Sequence, residues 1–199
     1  MFRRMWLSVS LAVLGHACGG SAPSATEVSR EGTAQCPTIR EVDWLNRSYD
    51  FGFAGVQRVT NGRHVQGEGE EGMEIHSSAQ GPLYGDLTGD GVDEAVMALD
   101  TFDGGNDPPR WLEVYTVRDC EVVRLGVVPA SLEGDEYNSL IGEGIEGGRL
   151  VVERQDWSDG GAHCCAHHIR TEQWVIRNAA LVEDDAARTL RQVRTDADD

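Results

Sequence analysis

The chain has no lysine. All 17 of its basic residues are arginine, set against 34 aspartates and glutamates for a formal charge of −17 at pH 7. So little positive charge excludes an electrostatic grip on phosphate backbones, and with it a nucleic-acid partner. Also missing are a Gly-x-Ser-x-Gly elbow, a P-loop and a His-Glu-x-x-His pair, so none of the common catalytic motifs is present. After the first 17 residues no segment is apolar enough to span a bilayer. What remains is 199 residues with 40% hydrophobic content and 24 glycines. That length suits one compact domain plus extras, and the short apolar runs fit a folded, turn-rich chain rather than a disordered acidic one.

Residues 1–17 read as an export signal, with Arg3 and Arg4 ahead of an apolar stretch from Leu7 to Leu14 that is too short for an ordinary transmembrane helix. The run from Leu14 through Gly15, His16 and Ala17 to Cys18 resembles a bacterial lipobox, which implies lipidation of Cys18. Here Gly15 stands where a large aliphatic residue is usual. Ordinary cleavage after Ala17, giving a soluble periplasmic or secreted protein, is the alternative. Five cysteines are an odd number for an oxidising compartment unless lipid takes one, which favours the lipoprotein. Loss of residues 1–17 leaves 15 arginines against 34 acids, a charge of −19. Residues 18–36, rich in Ser, Ala, Gly and Thr, then form a flexible tether.

From residue 37 to 183 the pattern is that of strands. Asn61-Gly62 between the alternating runs of Val56 to Gln66 is a strong hairpin signal, because both central positions of a type I′ turn need positive φ. Further strands are expected at Glu94 to Leu99, Trp111 to Val117, Val122 to Val128, Leu150 to Arg154 and His168 to Val175, with a short one near Leu181. The fold class is therefore mainly β: a single antiparallel meander, or a small sandwich or half-barrel, after an N-terminal signal and tether. Only Thr38 to Leu45 and the acidic tail, from Glu183 to Arg194, read as helical, and a frayed charged tail is an equal alternative for the second.

The most specific feature is the stretch from Tyr84 to Met97. Calcium wants six to eight oxygens, which a loop supplies when carboxylates recur on alternate positions and a glycine permits the sharp turn. Asp86, Thr88 and Asp90 take the first, third and fifth positions, Gly91 the sixth, the Val92 carbonyl the seventh and Glu94 the ninth. Asp93, one residue off, belongs to an outer shell or to solvent. Met97 stands at the twelfth position, so this is not an EF-hand. The expectation is one structural calcium ion, bound weakly at about 10⁻⁴ to 10⁻³ M as in extracellular modules. A tight turn closed by its own side-chain hydrogen bonds is the other reading of the same residues.

The loop resembles the Asp-rich calcium loops of FG-GAP and VCBS repeats, with Thr88 in place of the second Asp of that pattern and Glu94 in place of its last. That resemblance implies an ion at the mouth of a β-hairpin. A wider set occurs in the same order in a group of uncharacterised exported bacterial proteins: Leu45 to Tyr49, Asn61-Gly62, Gly85 to Ala95, Trp111 to Tyr115 and the adjacent Cys164-Cys165. Mycobacterial LppP/LprE-type lipoproteins look similar over the middle part. The resemblance covers about residues 40–183 and implies architecture and location, but no activity.

His163, Cys164, Cys165, His167 and His168 place five potential metal ligands within six residues. On a strand, His163, Cys165 and His167 would share a face and could converge on zinc or copper. In an oxidising compartment, disulfides among Cys36, Cys120, Cys164 and Cys165 are favoured over a metal site. Three connectivities are open, and adjacent cysteines usually take different partners, here Cys36 and Cys120. Two glycine-rich stretches, Gly67 to Gly72 and Gly142 to Gly147, match the letters of a dinucleotide fingerprint but carry glutamates that would repel a pyrophosphate, and read as acidic turns. Asp100, Asp103 and Asp107 fit a solvated loop. Trp44, Trp111, Trp157 and Trp174 fit the core or rim of a sheet.

The functional expectation is a non-catalytic domain of the cell envelope, tethered to the membrane by lipid and stabilised by calcium and disulfides. Its partner would be an envelope protein or a glycan. The competing expectation is a small secreted metal-dependent hydrolase, or a copper- or zinc-handling protein, that uses the His163 to His168 cluster.

Overall fold

The computed structural model describes residues 36–68, 74–102, 109–130, 140–157 and 168–193, all within one compact unit. The protein is mainly β, as its pattern predicts. Strand β1 (Ser48–Asp50) pairs with β2 (Val56–Arg58) in a small hairpin. Strands β3 (Arg63–Glu68), β4 (Glu74–Gly85), β5 (Glu94–Phe102), β6 (Arg110–Arg118) and β7 (Glu121–Val128) form an antiparallel meander in chain order. A second sheet holds β8 (Leu140–Glu146), β9 (Arg149–Asp156) and β10 (His168–Arg177). The far edge of β10 is shared by β11 (Ala180–Glu183) and β12 (Thr189–Gln192).

The meander lies between two apolar layers. Ala95, Met97 and Leu99 of β5 join a cluster with Ile39, Trp44, Tyr49, Phe51 and Tyr115, whereas Val96 and Ala98 join Leu112, Val114, Leu150, Val152 and Trp174. One face of β5 therefore packs on the segment 36–62 and the other on the second sheet. Burial on both faces explains why the strand is a continuous apolar run instead of an alternating one. Two glycines allow the sheets to close up: a Cβ on Gly126 would stand 2.5 Å from Leu181 Cβ, and one on Gly85 would stand 2.8 Å from Ile145 Cγ2.

Asn61 and Gly62 have φ of 52° and 77°, the positive values a type I′ turn requires. The turn closes on a single bridge, Thr60 to Arg63, because its two arms then pair elsewhere, β2 with β1 and β3 with β4. Gly62 is needed for a second reason: its amide donates to Leu45 O at 2.7 Å, and a Cβ would lie 2.7 Å from Ala79 O.

Three expectations need correction. Thr38 to Leu45 is not a helix but two 3₁₀ turns, Ile39–Glu41 and Trp44–Asn46. Ile39 and Trp44 are both buried in the same cluster. Five residues apart on an α-helix they would point about 140° away from each other, so the break at Val42 lets both reach the core. Nor is the tail a helix. One 3₁₀ turn, Asp185–Ala187, leads into β12, which satisfies the backbone of β10 where β11 has ended. The sheet thus runs past Glu183. The stretch from Gly142 to Gly147 is not a turn but most of β8, and Gly147 and Gly148 supply the turn into β9. Gly67 likewise lies in β3.

Candidate functional site in the Asp86 to Glu94 loop

Gly85, the last residue of β4, and Glu94, the first of β5, are partners across the ladder, so residues 86–93 form the mouth of a hairpin. Positive φ at Gly89 (78°) and Gly91 (84°) turns successive amides inward. Asp86 collects them: its Oδ1 accepts from Gly89 N at 2.6 Å and Asp90 N at 3.2 Å, and its Oδ2 from Gly91 N at 2.9 Å. The Thr88 hydroxyl lies 3.5 Å from Oδ1. These donors favour the ionised form, and Asp86 is held below the ordinary carboxylate range, the Gly91 amide being the largest cause. Asp90 closes its own small turn, with Oδ1 accepting from Val92 N at 2.8 Å.

Glu94 braces the loop from within. Its side chain is buried, Oε2 accepts from Leu87 N at 2.8 Å and Thr88 N at 3.2 Å, and Oε1 accepts from the Thr116 hydroxyl of β6 at 3.3 Å. Burial pushes its pKa up against these three lowering contacts. Asp93 stands at the surface, its side chain one-third exposed. Its carboxylate takes Arg40 Nε at 2.7 Å, and the Arg40 guanidinium lies 4.5 Å over the Tyr84 ring. That contact, from the segment 36–62, carried no signal in the sequence.

Asp86 and Thr88 bring hard oxygens together on one side of the loop, of the kind a cation takes. The carboxylates of Asp86, Asp90 and Glu94 are all engaged by backbone amides and would have to exchange those partners for the ion. Among the described residues no three His, Cys, Asp or Glu side chains converge as a metal centre.

Beside the loop lies a cleft of about 410 Å³. Pro37, Thr38, Ile39 and Arg40 line one side, Gly91, Val92 and Asp93 the other, and Val117 of β6 completes the wall. The segment behind the first side is fixed by a disulfide between Cys36 and Cys120, whose Cα atoms are 4.7 Å apart. This corrects the expectation that Cys36 and Cys120 serve the adjacent cysteines, since each is the other's partner. Cys18, His163, Cys164, Cys165, His167, Asp103 and Asp107 lie outside the described residues. Two expected residues of those regions are placed. His168 opens β10 with Asp156 as its ladder partner. Asp100 belongs to β5, not to a loop, and its Oδ2 accepts from Ser78 Oγ at 2.7 Å and Gln80 Nε2 at 3.0 Å.

Two polar arrangements escaped the sequence reading. Arg154 and Glu172 form a fully buried ion pair between β9 and β10. The Arg47 guanidinium lies 5.0, 5.9 and 5.6 Å from the ring centroids of Trp44, Tyr49 and Tyr115. The Tyr115 hydroxyl donates to Glu113, which also pairs with Arg124. Alternation along β9 holds the one readable signal, because Leu150, Val152, Arg154 and Asp156 share the buried face. Trp44 and Trp174 are core residues and Trp111 packs against the core, while Trp157 Nε1 is buried without a partner.

No helix among the described residues is long and apolar enough to cross a membrane. Comparison with protein-family models, with curated proteins and with solved structures yields no match.

Proposed function

We propose that this chain is an exported, non-catalytic domain of the bacterial envelope, held to the membrane by lipid on Cys18, with a binding or structural role. The observation that carries the reading is the use made of its acidic side chains. Asp86 gathers three consecutive backbone amides, Glu94 gathers two more, and Asp93 ties the loop to Arg40. Each is committed to holding a hairpin mouth, and Asp86, held ionised by its amide donors, is a poor proton carrier.

Calcium belongs to this reading as a weak structural ligand. Asp86, Thr88, Asp90, the Val92 carbonyl and Glu94 would hold it, the three carboxylates exchanging backbone amides for the ion. The ion's contribution is to neutralise carboxylates that otherwise repel each other. The test is thermal melting of the chelated protein with and without millimolar calcium, together with the mass of the processed chain. A higher melting temperature and a lipid adduct on Cys18 are expected. An unchanged melt removes the ion, and an unmodified Cys18 removes the anchor.

A second reading, a zinc- or copper-handling protein or small metal-dependent hydrolase built on the His163 to His168 cluster, is favoured by one observation. With Cys36 bonded to Cys120, neither is available to Cys164 or Cys165. Thiol titration of the unreduced protein, followed by zinc and copper uptake, decides between them: free thiols with stoichiometric metal favour this second reading.

A further inference from the structure

Asn61-Gly62 is the only Asn-Gly pair in the chain, and it forms the turn between β2 and β3. A glycine after an asparagine carries no side chain to shield its nitrogen, and that nitrogen can attack the asparagine carboxamide. The Gly62 nitrogen gives up its proton and bonds to Asn61 Cγ, while the carboxamide nitrogen leaves as ammonia, closing a cyclic imide. Water then opens the imide. Breaking the new bond at Cγ gives aspartate, and breaking the bond at the backbone carbonyl gives iso-aspartate, in which the main chain runs on through the side chain. One water enters and one ammonia departs. Asn61 is exposed, and no group among the described residues holds its carboxamide, so the electrophile is unrestrained.

The folded hairpin restrains the nucleophile instead. The Gly62 amide donates to Leu45 O at 2.7 Å, the Gly62 carbonyl accepts from Ala79 N at 2.8 Å, and Gly62 is buried. The amide of Asn61 is fixed as well, donating to Asn46 Oδ1 at 2.9 Å, and Asn46 is steadied by Asp43. A nitrogen held in this way reaches Cγ only when the turn leaves Leu45 and Ala79, so the reaction proceeds through the open fraction of the hairpin. The two products differ in fate. Aspartate tolerates the positive φ of this position, 52°. Iso-aspartate adds a carbon to the main chain where there is no slack, since a Cβ on Gly62 would lie 2.7 Å from Ala79 O and 3.2 Å from Leu45 Cδ2. We propose that Asn61 is a self-modification site, exposed to reaction when the hairpin releases Leu45 and Ala79, and that its iso-aspartate form cannot restore those bonds. The segment 36–62, which covers one face of β5, is then left loosened at its junction with β3.

The experiment incubates the full chain at mildly alkaline pH, folded in buffer and unfolded in denaturant, and then digests it with trypsin, which frees Val59 to Arg63 as one peptide. The mass of that peptide reports the exchange of ammonia for water, and methylation by an iso-aspartate methyltransferase reports the iso-aspartate share. Unmodified Asn61 should disappear at least about tenfold more slowly from the folded chain than from the unfolded one. Asn46→Ala, which frees the Asn61 amide, should speed the loss in the folded chain and leave the rate in denaturant unchanged. The iso-aspartate chain, separated by chromatography, should melt below the parent, whereas Asn61→Asp should melt with it. Equal rates in the folded and unfolded parent, no response to Asn46→Ala, or an iso-aspartate chain that melts with the parent overturns the proposal. The comparison of folded and unfolded parent needs no variant, so it decides the matter even if Asn46→Ala fails to fold. None of these results depends on the calcium ion or on Cys18.

Discussion

Arg154 and Glu172 face each other inside the molecule, with Arg154 Nε 3.0 and 3.1 Å from the two carboxylate oxygens and neither side chain reaching solvent. The remaining donors of Arg154 go to the carbonyls of Ala130 at 2.8 Å and Pro129 at 2.6 Å, and Trp174 Nε1 adds a bond to Glu172 at 3.2 Å. The pair therefore joins β9 and β10 to the chain leaving β7. Arg154→Ala takes the donors from two carbonyls and leaves the buried Glu172 carboxylate with Trp174 Nε1 and, at 3.5 Å, Arg170 Nε, and should cost about 3 kcal/mol, the low end for breaking a buried pair. Arg154→Met with Glu172→Leu removes both charges and should cost less than the single change. Urea unfolding of the three proteins measures both.

Glu94→Gln keeps the shape of its parent. An amide oxygen can accept from Leu87 and Thr88 while the amide nitrogen donates to the Thr116 hydroxyl. Burial raises the pKa of Glu94 in the folded state, so its proton is bound more tightly there than in the unfolded chain. By linkage the side chain favours folding below its ordinary value of 4.5 and loses that advantage as pH rises through the raised value. The Gln variant should abolish this fall and match or exceed the parent's stability at pH 7 without calcium. Glu94→Ala should lose about 1–3 kcal/mol for the buried amides it leaves unpaired. Chemical unfolding between pH 4 and pH 8, taken as about the range over which such groups titrate, reads the slope.

Asp86 acts in the opposite sense. Its folded pKa is lowered by the amides of residues 89–91, so its contribution is complete above its ordinary value of 3.8 and disappears as pH falls through the lowered one. Asp86→Ala should lower the melting temperature at pH 7 and flatten the acid limb of the stability profile. It should also remove any calcium-dependent rise in melting temperature. Differential scanning calorimetry with and without chelator follows all three effects.

The Cys36–Cys120 bond closes a separation of 84 residues. By the chain-entropy account, a loop of that size contributes about 4–5 kcal/mol, less any strain in the native state. The bond also fixes the first side of the cleft. Cys36→Ser with Cys120→Ser should lower stability by several kcal/mol. Thermal melting of the oxidised parent beside the double variant measures the loss.

Much of this fold is legible in the chain. Glu94 to Leu99, Trp111 to Val117 and Val122 to Val128 all lie inside the observed strands β5, β6 and β7, because a strand covered on one or both faces must be apolar there and short turns must follow it. Strand β4 was not legible. It is polar along Glu74 to Gln80, and Gly81-Pro82 interrupts it where the register shifts between Gln80 and Leu83. The 3₁₀ turns of residues 39–46 were missed because local spacing cannot show that Ile39 and Trp44 share a tertiary target. At the site, Asp86, Thr88 and Asp90 were legible from alternation within one loop. Arg40, fifty-three residues before Asp93, was not, since no local pattern links a loop to a segment folded over it. The same limit hid the partner of Cys36.

Strand β5 has neighbours on both edges and an apolar layer on both faces. Its amides from Ala95 to Leu99 should therefore be the last in the molecule to exchange with deuterium, opening only when the whole domain unfolds. Glu94, which anchors the loop, is the first residue of that strand. The mouth of the hairpin thus hangs from the least mobile part of the protein, and any rearrangement that admits an ion or a partner must be absorbed on the Asp86 side and in the outer segment bearing Arg40.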